Sequence, residues 1–196
     1  MESSPAAVNF GLAQIVEEYR ATGNIGTVFD RVRTLANQVD PDQLAQAAQP
    51  YHDMPEVVIP AYEHIVAAQP QNAQAMVLLA NAYWLTGRGA DVVGALAARA
   101  KAVDGSNRGA WHLWALAEPA LRARVERWRK VSQQFPSDQL ARAALADNAT
   151  SLADAEDDPA ALDLAIQTYE SLLTEANTRE QVSALTATLR ALKGKA

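Results

Sequence analysis

The sequence contains no cysteine, which excludes disulfides and thiolate chemistry and fits a reducing compartment. No apolar run approaches the roughly 18 residues that a membrane span needs. The first residues, MESSPAAVNFGLAQ, lack the basic and apolar regions of a signal peptide. Segments of alternating β-branched residues are also few. We therefore expect an all-α protein that is cytoplasmic and has no membrane span.

The residues that usually support catalysis are equally sparse. The three histidines, His52, His64 and His112, share no metal-ligand spacing, and no cysteine is present to complete a zinc set. Gly87-Arg88-Gly89 follows no predicted strand, so it does not qualify as a phosphate-binding loop. We expect no cofactor, no metal and no enzymatic activity. The net charge of -6 argues against nucleic acid or an anionic membrane as the main partner.

Two charge clusters are further candidates for sites. The basic cluster lies in one predicted helix and comprises Arg122, Arg124, Arg127, Arg129 and Lys130. Because these side chains point in several directions around a helix, a solvated outer face is favoured over an acidic partner or nucleic acid. The acidic segment around Asp154–Asp158 lacks the alternating ligands and the closing glutamate of an EF-hand loop, which argues against a calcium site.

What the sequence does contain is a repeated helical hairpin, most regular over Ala73–Asn107. Met76, Leu79, Ala80 and Tyr83 follow the i, i+3, i+4, i+7 spacing of one helix face. Glycines near residue 87 end that helix, and a second helix follows. Its apolar residues are Val92, Val93, Leu96, Ala100 and Val103. Since a single hairpin cannot bury both stripes, neighbours of similar shape are required.

The same pattern recurs along the chain. Leu12, Ile15, Val16 and Tyr19 form the first stripe, and Leu44, Ala47, Ala48 and Tyr51 form the next. Trp111, Trp114 and Ala115 begin a shorter unit, which Pro119 interrupts. Pro60 lies inside a predicted helix and is expected to bend it. Other predicted packing positions include Ile25, Val28, Val32, Leu35, Leu140, Ala144, Leu145, Asn148, Leu152, Val182, Leu185, Leu189 and Leu192.

These units resemble the tetratricopeptide repeat, whose pattern is W-x₂-L-G-x₂-Y, then A-x₃-F, then P. Met76, Leu79, Ala80 and Tyr83 stand at the first four marked positions, as do Leu12, Ile15, Val16 and Tyr19. Aromatic residues of the second helix and terminal prolines also match; they are Tyr62, Trp128, Tyr169, Pro41, Pro70 and Pro136. The sequence departs from the pattern where glycine is expected, since Ala48, Ala80, Ala115 and Val16 stand there.

The resemblance implies an α-solenoid, a right-handed superhelix of about five helical hairpins, in one domain that spans residues 1–196. The predicted repeats are about 9–41, 42–72, 73–107, 108–136 and 137–175, with a C-terminal capping helix at about 178–193. Members of the family mostly bind peptides, helices or partner proteins in a concave groove that the first helix of each hairpin lines.

The resemblance also selects the groove residues. Counting from the packing stripes gives Gln49, His52, Gln74, Val77, Asn81, Trp84, His112 and Leu116. Asn81 has the amide that hydrogen-bonds a bound backbone in relatives, and Trp84 is typical of binding hot spots. Either residue could instead be an ordinary surface or packing residue. The groove is poor in lysine and arginine, which favours an apolar or helical ligand. The predicted function is a protein-interaction scaffold; the alternative is a self-assembling homo-oligomer.

Overall fold

The computed structural model describes residues 4–195, which form helices and turns without a β-strand in that range. The helices are α1 (Pro5–Thr22), α2 (Ile25–Ala36), α3 (Pro41–Ala48), α4 (Pro55–Ala68), α5 (Ala73–Leu85), α6 (Ala90–Val103), α7 (Arg108–Leu116), α8 (Leu121–Gln134), α9 (Gln139–Glu156), α10 (Pro159–Glu175) and α11 (Arg179–Lys193). A 3₁₀ turn, Gln49–Tyr51, follows α3. The all-α fold class predicted from the sequence is confirmed.

The starts of the helices are encoded by capping residues. Asp40 and Asp158 each precede a proline, and each accepts hydrogen bonds from the backbone amides of the first turn. The carboxylate satisfies amides that have no partner within the helix, and proline is suited to the first helical position because it lacks an N–H. Ser4, Asn24, Asn72, Asp138 and Thr178 cap α1, α2, α5, α9 and α11 in the same way.

Three of the hairpin turns use the left-handed backbone conformation. Gly23 follows α1 with φ of 65°, and Gly87 follows α5 with φ of 72°. Glycine adopts this conformation without the steric cost that a Cβ imposes. The last hairpin uses Asp157 instead, with φ of 48°, between α9 and α10. The helix break predicted near Gly87 therefore lies where the chain reverses.

The described residues divide into two compact units, and the boundary falls within α7, between Leu113 and Trp114. In the first unit, α1 packs on α2 and α3, α2 packs on α4, and α4 and α6 both pack on α5. Its core residues have almost no exposed surface; they are Leu12, Val32, Leu44, Ile65, Met76 and Val93. Each buried side chain of this size contributes about 1.5–3 kcal/mol of transfer free energy.

In the second unit, each helix from α8 to α11 packs on the next helix along the chain. Helix α9 packs between α8 and α10, and α11 packs on α10. Val131, Leu145 and Leu172 lie in its core. Leu189 and Leu192 attach α11 to the unit, while the first residues of α11 are exposed. The assignment of one domain to the whole chain and the right-handed superhelix stay predictions.

Five apolar residues that the periodicity placed on packed faces are exposed instead. Their exposed fractions are 54% for Ile25, 45% for Val92, 36% for Val103, 67% for Leu140 and 42% for Val182. Four of them lie within the first four residues of α2, α6, α9 or α11, and Val103 is the last residue of α6. Helical spacing gives the direction of a side chain but not the length of the helix beside it. Pro60 is buried within α4, which continues past it to Ala68.

We predict that Glu175 makes the second unit sensitive to acid. Its two carboxylate oxygens accept from the guanidinium of Arg142 at 2.6 and 2.5 Å. Hydrogen bonding to Arg142 lowers the pKa of Glu175 to about 2. A carboxyl whose pKa is lower in the folded state stabilises the fold above its ordinary pKa, and that stabilisation is lost as the pH falls from about 4.5 to about 2.

Urea denaturation over this pH range measures the effect. Relative to wild type, Glu175→Gln should flatten the loss of stability with acid. In an Arg142→Gln background the same substitution should change the pH dependence much less, because the partner is already absent. Parallel curves for wild type and Glu175→Gln would show that the ion pair does not couple protonation to folding.

Candidate functional site

The candidate site is the solvent-facing side of α5. The opposite side of this helix packs against the rest of the first unit, and its four stripe residues are buried: Met76, Leu79, Ala80 and Tyr83. Gln74 and Asn81 are exposed, and Val77 is half-buried. The regular helix from Ala73 to Leu85 places these residues along one stripe because they are three or four positions apart.

Two large apolar side chains complete this stripe at the end of α5. Trp84 is 38% exposed, and its neighbour Leu85 is 65% exposed. Sequence reasoning missed Leu85, although it lies four residues after Asn81 and directly before the glycine turn. We call Gln74, Val77, Asn81, Trp84 and Leu85 the α5 face. Among the described residues, the Asn81 amide has no hydrogen-bond partner, so its donor and acceptor are free to pair with a ligand.

The start of α7 lies beside the α5 face. The Asn107 side chain donates to the Gln74 amide oxygen at 3.4 Å. A Cβ on Gly109 would lie 3.0 Å from Cγ1 of Val77, so the absence of a side chain allows this close approach. His112, one turn further along α7, is half-buried. Gln74, Val77 and the beginning of α7 are thus brought together in the first unit.

Gln49 and His52 have different surroundings. Helix α3 ends at Ala48, so both residues lie in or next to the 3₁₀ turn rather than on a continuous α-helix. Gln49 is exposed. His52 is half-buried, and its Nε2 lies 2.7 Å from the hydroxyl of Tyr62 on α4, with the two rings packed edge to face. His52 therefore connects the turn to α4.

Leu116 is the last residue of α7 and belongs to the second unit, where it is 37% exposed. Its assignment to a binding groove, like that of the other groove residues, stays a prediction.

The arginines of α8 make contacts within the second unit. Arg122 pairs with Glu156 and Asp158, at 2.5 and 2.9 Å. Arg124 donates to the side-chain oxygen of Asn148 at 2.7 Å. These contacts connect α8 to α9 and to the turn that follows α9. They also occupy donors that a nucleic-acid phosphate would otherwise accept from.

Arg127 holds the turn between α7 and α8. It donates to the Trp114 carbonyl at 2.6 Å, pairs with Glu118 at 2.5 Å, and stacks over the Trp114 ring at 4.7 Å. The Glu118 side chain is only 13% exposed, which strengthens its interaction with the guanidinium. Arg124 and Arg127 are therefore half-buried intramolecular contacts, whereas Arg122, Arg129 and Lys130 lie on the exposed side of α8, as expected for a solvated face.

Metal-binding clusters and membrane spans are both missing from residues 4–195. In this range no group of three or more histidine, cysteine or acidic side chains is placed to hold a metal ion. None of the helices described here is both long and apolar enough to cross a bilayer.

The fold is a series of helical hairpins, and solved structures have the same fold. The chain is similar to two crystal structures of MamA, with TM-scores of 0.59 and 0.57 and 14% sequence identity in both cases. The first match covers 87% of this chain and 97% of MamA, and the second covers 80% and 95%.

A third similar structure is TTC0263, described as a thermophilic TPR protein in Thermus thermophilus. Its TM-score is 0.52 at 17% identity, and the match covers 95% of this chain and 98% of that protein. No protein-family model matches the sequence, and no curated protein matches it either. At these identities the similarity establishes the fold, and it confirms the tetratricopeptide-like architecture predicted from the repeats.

The Arg127 contacts predict a structural role. Arg127→Ala removes the cation beside the poorly exposed Glu118 and should lower the free energy of unfolding by about 1–3 kcal/mol. Lys130→Ala, on the exposed side of the same helix, should change it by less than about 0.5 kcal/mol. Urea denaturation near neutral pH measures both. Equal stability of the two variants would contradict the assignment.

Proposed function

We propose that this chain is a non-catalytic protein-interaction module, and that its α5 face binds a peptide or helix of a partner protein. The observation that carries the proposal is the exposed stripe of Asn81, Trp84 and Leu85 opposite a fully packed stripe on the same helix. The packing of the first unit uses only one side of α5. The other side presents a large aromatic, an aliphatic and a free amide.

The chemistry of this face favours a mostly apolar ligand. Tryptophan contributes a large contact area with little loss of side-chain entropy, and it is enriched among residues that dominate binding energy. The Asn81 amide can pair with both the N–H and the C=O of a ligand backbone. The α5 face contains no lysine or arginine, so a ligand held chiefly by a terminal carboxylate would find no cation on it.

The fold supports the same function. The similar Thermus thermophilus structure is a TPR protein, and repeats of this type expose a continuous series of helix faces that can follow a bound segment. Solenoids use such surfaces for recognition because each hairpin adds one more helix face to the binding surface.

Selection of helical peptides displayed on phage against the full chain tests the proposal. Peptides that bind the α5 face should bind Asn81→Ala/Trp84→Ala at least about 10-fold more weakly, as expected for loss of a hot spot. The melting temperature should fall by no more than about 8 °C, because Trp84 lies outside the core but is only 38% exposed, so its loss removes some packing. Ile25→Ala is the matched control, because it removes an exposed apolar side chain on α2. It should leave the affinity for the same peptides unchanged.

Two results would reject the proposal. In one, every selected peptide binds the double variant as well as wild type. In the other, the double variant binds weakly but also melts much lower, which would make Asn81 and Trp84 packing residues.

A second function, self-assembly into a homo-oligomer, is favoured by a separate observation on α1. Phe10 is 65% exposed and lines an open groove of about 460 Å³ together with Ala13, Gln14 and Glu17. An exposed phenylalanine at an open groove is a surface that a second copy can cover.

Sedimentation velocity over a range of concentrations tests self-assembly. If this function holds, wild type forms a dimer and Phe10→Glu shifts it to monomer. Leu140→Glu, which changes an equally exposed apolar residue of the second unit, should remain a dimer. A wild-type chain that is monomeric at every concentration would exclude this function.

A further inference from the structure

The first unit has a second open surface, between α4 and α6. Both helices pack on α5, and each is joined to it by a connection of four residues. Connections this short join antiparallel neighbours, so α4 and α6 run roughly parallel to each other. Within the described residues, α2 packs along α4, but α6 makes no comparable contact with α4. The space between α4 and α6 is a groove of about 690 Å³, and its floor is formed by Leu79 and Tyr83 of α5. We call it the α4–α6 groove.

The walls of the α4–α6 groove are apolar over most of their length. Helix α4 contributes Val66 and Ala67, and α6 contributes Val92, Ala95 and Leu96. Val92 and Ala95 are exposed, although they stand one turn apart on the wall of a concave surface. Apolar side chains in this position gain free energy when a ligand removes them from water, at about 25 cal/mol per Å².

Opposite charges mark the two ends of the α6 wall. Asp91 lies at one end and Arg99 at the other, and eight residues of helix separate them by about 12 Å. Among residues 4–195 neither has an ion-pair partner. The remaining charged residue of the lining, Glu63, is already occupied. It accepts from the Tyr83 hydroxyl at 2.8 Å and from Arg33 at 3.2 Å.

The lining decides which conformation a bound chain can have. An extended peptide would place unpaired N–H and C=O groups against the apolar middle of the groove, and burying such a group without a partner costs free energy. An α-helix satisfies its own backbone hydrogen bonds and needs only an apolar stripe. The parallel walls suit a helix that lies along them.

The two free charges decide the direction of that helix. Natural helices favour acidic residues in the first turn and basic residues in the last turn, because these complement the helix dipole. A helix antiparallel to α6 brings its acidic first turn to Arg99 and its basic last turn to Asp91. A parallel helix with the same charges would meet two repulsive contacts.

We propose that the α4–α6 groove is a second docking surface, distinct from the α5 face, which takes one amphipathic α-helix of a partner protein antiparallel to α6. The helix contributes an apolar stripe to Val92, Ala95 and Leu96. It carries an acidic residue opposite Arg99 and a basic residue two turns later, opposite Asp91.

The test uses two synthetic peptides, fluorescently labelled and capped at both ends. The first has a glutamate, two turns of leucine and alanine, and then an arginine on one helix face. The second has glutamine at both of the charged positions. Wild type should bind the first peptide about 5-fold more tightly at low salt, as expected for two exposed ion pairs. Asp91→Asn/Arg99→Gln should remove this preference without changing the apolar walls. A nitroxide on the first residue of the first peptide should broaden the NMR signals of α6 near Arg99 more than those near Asp91, which reports the direction of the bound helix.

Two further variants test the apolar wall without changing charge. Ala95→Gln places a larger polar side chain in the middle of the α4–α6 groove and should weaken the first peptide by about 5-fold or more. Ala102→Gln makes the same change at an exposed position of α6 outside the lining and should have no effect. Asn81→Ala/Trp84→Ala should also bind the first peptide normally, which separates this surface from the proposed α5 function.

Several outcomes would overturn the proposal. Equal affinity for the two peptides, a preference that Asp91→Asn/Arg99→Gln leaves unchanged, or stronger broadening near Asp91 than near Arg99 would contradict the charge-directed orientation. A concentration-dependent dimer that Ala95→Gln dissociates would identify a second copy as the occupant. Displacement of the peptide by dodecyl maltoside, without any charge preference, would identify a small amphiphile.

Discussion

The structure depends on the burial of one apolar stripe per helix. Helices of 12–14 residues such as α2, α4 and α6 are marginal in isolation, so tertiary packing must stabilise them. Met76 and Leu79 on α5 and Val93 on α6 have nearly no exposed surface because neighbouring helices cover them. Because one stripe is enough for packing, the other face of each helix is not needed to hold the fold together. Function in such a fold is therefore expected on surfaces that packing does not need.

The periodicity predicts the helices and their packed faces because each stripe is short and regular. It is less accurate at the helix ends. Ile25, Leu140 and Val182 follow the correct spacing, yet they lie in first turns and are exposed. Leu85 is exposed as well, because it is the last residue of α5 and so also lies at a helix end. Helical spacing is a local property, whereas coverage depends on where the partner helix ends, and no local pattern contains that information.

The candidate site shows the same division between local and distant information. Counting places Asn81 and Trp84 on a common face because α5 is regular from its capping Asn72 to the glycine turn. It does not anticipate the surroundings of His52, since the 3₁₀ turn after α3 changes the spacing and Tyr62 lies beside its ring. The contacts of Arg124 and Arg127 with Asn148 and Glu118 join residues that periodicity alone does not pair.

The two proposed surfaces of the first unit share one structural element but no side chain. Helix α5 contributes Asn81, Trp84 and Leu85 to one surface and the buried Leu79 and Tyr83 to the floor of the other. Substitutions at sites without shared partners have nearly additive effects. The packed stripe between the two surfaces is close-packed, so occupation of one need not deform the other. Helix α5 thus takes part in both proposed binding faces, and the free charges Asp91 and Arg99 give the second one a direction that the uncharged α5 face lacks.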